Sequence, residues 1–345
     1  GHQRAAYPFL ESAHRGIINA NRYQGISSQE RRMWEGGRTW YEIISRFKNV
    51  PIIGTTAFAI MDSYQKIEPF YPKRDLSKNS SQQKYFYNQV KRGLGKNLIE
   101  ELNKNPLPFL TTFFVPAYFA EYYGYKEKIY CVVCDADIAR AWAPFHAKAS
   151  KINYLVPNKR VRARLELYGV KPNKIFVTGF PLPKENIGGL KQKTLRADLA
   201  SRIYNLDPRG IYRHKYNKLI EGYLCPVKSI KKPDRPLTIT FVVGGAGAQR
   251  DIGIMLVKKL KDSIKQNKIR LNLIAGVRND VYLYFKSEVK RQGLDKSDNV
   301  RIVYTEDKIN HFKVFNKILR HTDILWTKPS ELTFYSGLGL PIIMS

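Results

Sequence analysis

Acidic side chains are scarce in this chain of 345 residues: 29 Asp and Glu stand against 59 Lys and Arg, a formal net charge of +30. So little negative charge points to an anionic partner, whether a phosphate-bearing ligand, a membrane surface or nucleic acid, unless the lysines are only a solvated surface. Cysteine is scarce too. Cys131, Cys134 and Cys225 are too few and too scattered for a disulfide framework, which points to a reducing compartment. The Cys-x-x-Cys pair lies in "IYCVVCDAD", a run that reads as a buried strand, where positions three apart face opposite ways. No second pair completes a zinc site, so the pair reads as structural. No apolar run reaches the ~18 residues of a spanning helix, and no signal peptide is visible. The expected location is therefore cytoplasmic, with any membrane contact peripheral and made from the inner, aqueous side. A Walker loop, a Gly-x-Gly-x-x-Gly fingerprint, a zinc finger and the RRM and KH signatures are all missing. P-loop hydrolysis and dinucleotide redox chemistry drop out, and nucleic acid remains an alternative supported by charge alone.

What is present is an alternation of strands and helices over about two domains. In the first half, "VPIIGTTAFAIM" (50–61) and "PLPFLTTFFVPAYFAEYYG" (106–124) each open on a β-rich run, and the second passes into a helix. Short strands are expected in "KIYCVVCDAD", "INYLVPN" and "NKIFVTGFPLP". Val161, Leu165 and Leu167 mark one face of a helix that Gly169 closes. Residues 184–235 are strongly basic, end in the Pro-rich "KKPDRP" and read as a partly helical connector or insertion. A second α/β unit opens at "LTITFVVGG", continues through a helix striped by Leu256, Leu260 and Ile264, and returns to strands at "RLNLIAG", "NVRIVYT" and "TDILWTK". Alternation of this kind implies parallel sheets with both faces covered. The expected domains are 1–183 and 236–345, joined by 184–235. The last run, "GLGLPIIMS", stops inside a strand, so further elements are expected beyond it.

The run "VVGGAGAQRD" (242–251) joins a strand to a helix through small residues. Bare backbone N–H groups and the positive end of the helix dipole together suit a phosphate, and glycine admits the close approach that a Cβ would block. The same glycines could equally serve only to fit the turn. Further on come "LIAGVRND", "VRIVYTEDKINHF" and "DILWTKPSELTFYSGLGLPIIM". In this order the segments resemble glycosyltransferases of the two-domain GT-B fold, in particular monogalactosyldiacylglycerol synthases and the peptidoglycan enzyme that adds N-acetylglucosamine to a lipid-linked intermediate. The first half is similar in "GHQRAAYPFL", in "VVCDADIARAW" and in "YLVPNKRVRARLELYGVKPNKIFVTGFPLP". Only residues about 62 to 105 and the connector lie outside the resemblance. The chain departs from the pattern in three places. Its opening glycine loop is reduced to Gly1, which implies a first strand before it, Ala246 stands where the family has serine, and Pro329-Ser330-Glu331-Leu332 replaces a Gly-Gly-x-Thr form, leaving the donor sugar open.

The resemblance implies an α/β protein of GT-B architecture, two Rossmann-like doubly wound domains facing across a cleft, that binds a nucleotide sugar, most simply a UDP-sugar. It implies a donor site at Gly244, Gly245, Ala246, Gly247, Ala248, Gln249 and Arg250, at Gly276, Arg278 and Asn279, and at Ser330, Glu331 and Leu332. Inverting transfer needs a base for the acceptor hydroxyl and positive charge or oriented dipoles for the leaving diphosphate. The glycine turn suits the second role without a metal or other cofactor, with Arg250 or Arg278 adding charge. His2 is the first candidate base, because the resemblance places it beside the cleft and its unperturbed pKa is near working pH. Asp135, at the carboxyl end of a strand, is the second. Glu331 could accept ribose hydroxyls or merely favour a helix dipole, and Trp142 and Trp326 read as packing residues. The acceptor would be a hydroxyl compound such as a membrane lipid. Residues 62–105, where Phe70, Tyr71, Tyr85, Phe86 and Tyr87 alternate with cations, are expected either to rest on an anionic leaflet or to form an ordinary solvated helix pair. A nucleotide-sugar epimerase of the same fold is the alternative enzyme, and it would need further acid and base carboxylates.

Overall fold

A computed structural model describes residues 1–36, 66–244, 247, 249–329 and 331–345. The run expected to begin as a strand at 50–61 lies outside these residues, as do Gly245, Ala246, Ala248 and Ser330. Backbone contacts divide the chain into two units, Gly1–Phe180 and Pro181–Ser345. Each carries a parallel sheet with flanking helices, the α/β class expected from the sequence.

The first unit begins with α1 (His2–Ala6), α2 (Ser81–Lys91) and α3 (Lys96–Leu102). Then β1 (Phe109–Thr111), α4 (Phe114–Tyr122), β2 (Ile129–Val132), β3 (Asn153–Val156), α5 (Lys159–Leu167) and β4 (Ile175–Val177) follow. The four strands are parallel and lie in sequence order, β1-β2-β3-β4. Parallel strands covered on both faces read as continuous apolar runs, and Cys131, Val133, Tyr154 and Val156 are accordingly buried in one core with nearly all of α4. Cys134 lies beyond the end of β2 and donates its thiol to the Thr112 carbonyl at 3.2 Å, the structural role expected for it.

Residues 66–105 do not form the aromatic membrane face considered above. A capping box between Ser80 and Gln83 starts α2. That helix turns Phe86 onto Phe114 and Tyr87 onto Tyr118, with ring centroids 5.5 and 4.9 Å apart. Phe70 lies beneath the guanidinium groups of Arg160 and Arg164, 4.4 and 5.0 Å from its centroid. Phe86 and Tyr87 are thus partly buried against the core and Phe70 is half-buried under the two arginines, so of these five rings only Tyr71 and Tyr85 stay exposed.

The second unit opens with α6 (Lys184–Ile187), α7 (Lys193–Leu206), α8 (Ile211–Lys215) and α9 (Asn217–Tyr223). It continues with β5 (Leu237–Val242), α10 (Arg250–Lys265), β6 (Ile269–Gly276), α11 (Asn279–Arg291), β7 (Val300–Tyr304), α12 (Lys308–Arg320), β8 (Ile324–Thr327), α13 (Leu332–Gly337) and β9 (Ile342–Met344). All pairings are parallel, in the order β7-β6-β5-β8-β9. The chain thus winds outward from β5 to β7 and returns to lay β8 on the other side of β5, which is a doubly wound sheet whose strand order reverses between β5 and β8. Gly253 lets α10 pack hard on β5, since a Cβ there would come 2.9 Å from the ring of Phe241 and 3.0 Å from that of Phe285.

The basic residues of 184–235 are not simply solvated. Arg202 on α7 is buried and donates to the carbonyls of Leu319 and Thr322, where α12 ends, and of Leu338 and Gly339, where α13 ends, at 2.8 to 3.3 Å. A cation at the carboxyl ends of two helices satisfies orphan carbonyls and meets the negative ends of both dipoles. Burial still draws the Arg202 pKa down to about 10, which leaves the group charged at neutral pH. These contacts fold the connector into the second unit.

Asp323, at the entrance to β8, is fully buried. It accepts from Arg235 at 2.5 and 2.8 Å, from the Thr238 backbone N–H at 2.8 Å and from Asn205 at 2.9 Å. Replacing Asp323 with alanine strands the Arg235 guanidinium in a dry site. The expected cost is about 3 to 5 kcal/mol, to be read as a lowered midpoint in urea unfolding followed by circular dichroism.

Candidate functional site

In an open parallel sheet the connections leaving the carboxyl ends of the strands part towards opposite faces where the strand order reverses, and ligands settle in that crevice. Here the point lies between β5 and β8. The chain leaving β5 makes a tight turn in which the Gly247 N–H donates to the Gly244 carbonyl at 2.8 Å, and Gly247 has φ +74°. Gln249 then starts α10 in the left-handed conformation, φ 69°, with no side chain capping the helix. The first N–H groups of a sixteen-residue helix therefore open onto the switch point without a side-chain partner.

Across the reversal, Lys328 follows β8 directly and lays its side chain over Gly244. A Cβ on Gly244 would collide with the Cε and Nζ of Lys328. The contact is with the far end of a flexible side chain, so a Cβ at 244 would displace the lysine: the bare backbone of Gly244 is the floor on which it lies. Lys328 is partly buried, and among the described residues no carboxylate or hydrogen-bonding side chain holds its ammonium. The arginines expected to supply charge are committed elsewhere. Arg278 is bound at both ends of its fork to Asp280, 3.0 Å each, although a Cβ at Gly247 would come within 3.4 Å of its Nη2. Arg250 lies over the ring of Tyr284 at 4.4 Å, and that tyrosine's hydroxyl donates to Asp251 at 2.6 Å.

The other expected donor residues gather at the same sheet edge. Gly276 ends β6 with φ +67° and accepts from the Thr305 N–H at 3.0 Å. Asn279 is the first residue of α11. Glu331 starts α13 with φ 57° and accepts from the Tyr335 hydroxyl at 3.1 Å, and Leu332 is the helix's first residue. The hydroxyl of Ser345, just after β9, reaches Gln249 Oε1 at 3.4 Å.

His2 and Asp135 both lie at the carboxyl edge of the first sheet. His2 Nδ1 lies 2.7 Å from the Thr112 carbonyl, just past β1, and the Thr112 hydroxyl returns a bond of 2.9 Å to the His2 carbonyl. A carbonyl only accepts, so Nδ1 carries the proton and the neutral ring keeps its lone pair on Nε2. Phe113 and Trp142 flank the ring at 4.6 and 5.9 Å. Burial, opposed by the bond to Thr112, lowers the His2 pKa from 6.5 to about 4. Asp135 keeps an exposed edge, yet loss of hydration raises its carboxyl above the ordinary value. The next carboxylate, Asp137, is consumed by Arg164, with two bonds of 2.9 Å, and by Arg160 at 2.8 Å. Among the described residues no group of three His, Cys, Asp or Glu could hold a metal ion, and no helix is long and apolar enough to cross a membrane.

Sequence reasoning missed Lys328 and Gly253. Lys328 is visible as the residue that ends "DILWTK", but its meaning depends on β8 pairing with β5, Thr327 beside Val242, which places the next residues of both strands together.

No protein-family model matches the chain, and no curated protein matches it. Solved structures similar to it include the MnaA–UDP co-structure of S. aureus, at 11% identity over 86% of this chain and 69% of that one, TM-score 0.39. Another is the UDP-GlcNAc 2-epimerase of Neisseria meningitidis bound to UDP-GlcNAc, at 13% identity over 84% and 71%, TM-score 0.39. A third is the UDP-GlcNAc 2-epimerase of Methanocaldococcus jannaschii in complex with UDP-GlcNAc and UDP, at 10% identity over 84% and 71%, TM-score 0.36.

The lowered His2 pKa fixes a pH dependence. Unfolding returns the imidazole towards its ordinary 6.5, so the unfolded chain binds the proton more readily. The contribution of neutral His2 to stability is complete above that pH and is lost as pH falls from about 6.5 to about 4. In an NMR titration the His2 ring is expected to shift near pH 4; a midpoint near 6.5 would contradict the buried, Thr112-bound ring.

Proposed function

We propose that the chain is an inverting glycosyltransferase that takes a sugar from a UDP-sugar and passes it to a hydroxyl acceptor, a membrane lipid being the simplest choice. The observation that carries this reading is the Lys328 ammonium, without an ion-pair partner among the described residues, lying on the bare backbone of Gly244 at the β5/β8 reversal, beside a helix start that no side chain caps. An exposed lysine is ordinary, whereas a partly buried one without a carboxylate fits a site prepared for an anion. The diphosphate would take the place of that missing carboxylate, with its oxygens on the ammonium and on the first N–H groups of α10. Glu331, steadied by Tyr335, would accept the ribose hydroxyls. The order of motifs along both halves of the sequence supports sugar transfer as the reaction.

In the transfer, the acceptor oxygen bonds to the anomeric carbon as the bond from that carbon to the diphosphate oxygen breaks. The diphosphate leaves with an additional negative charge, and Lys328 and the helix dipole stabilise it without a metal ion. For the acceptor proton the sequence resemblance offers Asp135 and His2 as bases. Asp135 is the base of this reading, because loss of hydration raises its proton affinity above that of an ordinary carboxylate while burial lowers that of His2. His2, neutral throughout the working range, offers Nε2 as a hydrogen-bond acceptor that orients the hydroxyl.

Calorimetric titration with UDP, GDP, TDP and CMP tests the donor site, with selective UDP binding as the expected result. Lys328→Ala is expected to weaken it about tenfold or more, the worth of a charge-assisted hydrogen bond. Gly244→Ala, which displaces the same lysine, is expected to weaken it similarly, and the double variant no further, because both changes remove one interaction. Unchanged affinity in Lys328→Ala would put the nucleotide elsewhere. Failure of the folded protein to bind any nucleotide, together with salt-sensitive retention of nucleic acid, would replace the reading. Conversion of the donor to an epimer without acceptor would make the chain an epimerase. With a competent acceptor, Asp135→Asn is expected to lower turnover by about a hundredfold or more while UDP affinity stays unchanged.

A further inference from the structure

The short helices α8 and α9 carry large apolar side chains on the outside of the second unit. Tyr212, Tyr216, Leu219 and Tyr223 are 46, 38, 53 and 78% exposed. Their spacing of four, three and four places them in one stripe at 3.6 residues per turn. The stripe is continuous across the joint between the helices, since the Tyr216 N–H donates to the Tyr212 carbonyl at 2.9 Å and the Ile220 N–H to the Tyr216 carbonyl at 3.0 Å. Tyr212 and Tyr216 also touch, with ring centroids 4.7 Å apart.

Ile220 is buried and anchors α9, and Arg196 bonds to the Leu224 carbonyl at 3.0 Å, so the outward face is held by the fold. On the side of the stripe away from Ile220 lie Lys215 and Lys218, both exposed, with the Lys215 ammonium 5.3 Å from the Tyr216 ring centroid. Exposed Lys228, Lys231 and Lys232 follow in the chain. Arg213 does not belong to this set, because Asp207 pairs with it at 3.3 Å and its guanidinium lies over Tyr204.

We propose that this stripe is a peripheral docking surface for an anionic lipid bilayer. Three tyrosines and a leucine offer apolar bodies to the acyl boundary while the phenolic tips remain among headgroups, and the flanking lysines meet lipid phosphates. Charge complementarity selects this occupant over a second copy of the chain, which would bring another net charge of +30 against the same face. The inference is independent of the nucleotide-sugar reading and stands or falls without a nucleotide present.

The test is co-sedimentation of the intact chain with vesicles of phosphatidylcholine, with and without an equal part of phosphatidylglycerol, at physiological salt. Pelleting only with the phosphatidylglycerol vesicles is expected. The variant Tyr212→Ser/Tyr216→Ser/Tyr223→Ser is expected to partition about tenfold less, and Lys215→Gln/Lys218→Gln also about tenfold less. Lys258→Gln/Lys259→Gln on α10 removes the same charge away from the stripe and is expected to change little. Tyr223→Ser alone, at the most exposed position, should give a partial loss, and circular dichroism checks each variant's fold. Equal pelleting of every variant would overturn the proposal, since bulk charge alone would then suffice. No pelleting of the unmodified chain would overturn it as well, and retention on single-stranded RNA that the tyrosine variant loses, without vesicle binding, would reassign the face to nucleic acid.

Discussion

The Asp323 carboxylate decides how the second sheet is assembled. It binds the segment leading into β5 through Arg235 and the Thr238 N–H, and it binds α7 through Asn205, while standing itself at the entrance to β8. Three parts of the chain distant in sequence converge on two oxygen atoms. Because the group is dry, each of these bonds acts in low dielectric, and none can be exchanged cheaply for water. With β5 and β8 paired from this end as far as Val242 and Thr327, Gly244 and Lys328 meet just beyond the strands at the reversal of strand order.

The unit therefore has two poles of different electrostatic character. At the closed pole charges are neutralised internally, by Asp323 with Arg235 and by Arg202 with the carbonyls of two helix ends. Thr240, Thr322 and Asn272 complete a chain of buried polar contacts of 2.7 and 3.0 Å between them. At the open pole a lysine and an uncapped helix start face solvent. In the first unit, past the carboxyl end of β2, Asp137 is bound by Arg164 and Arg160, while Asp135, two residues earlier, keeps an exposed edge.

Much of the fold was legible in the sequence because its signal is local. Apolar runs such as "LTITFVV" and "RLNLIAG" make buried parallel strands whatever surrounds them, and the Leu256, Leu260 and Ile264 stripe makes a helix by its own period. The glycine turn was legible as a turn, and Gly247, Gln249 and Gly276 do adopt left-handed conformations. The lysine that lies over it was not legible. Arg250 and Arg278 stand nearest in sequence and were the natural choices, but each has a partner on its own or the neighbouring helix, whereas Lys328 arrives from a strand paired across the reversal. For the same reason the basic segment 184–235 was read as a connector: nothing local distinguishes Arg202, which is buried under two helix ends, from Lys191 or Lys193, which are exposed. In the first unit, aromatics alternating with cations resembled a surface, and only the fold reveals that Phe70, Phe86 and Tyr87 are covered.

Arg202 has a consequence for how this protein can change over evolutionary time. All four of its acceptors are backbone carbonyls, which every amino acid supplies equally. Leu319, Thr322 and Leu338 can therefore change without removing an acceptor, whereas Gly339 is held to glycine by its φ of +62° and by Leu199 where a Cβ would stand. The constraint rests on one position in a segment that otherwise tolerates replacement, so among diverged relatives this arginine would persist as an isolated fixed point in variable surroundings.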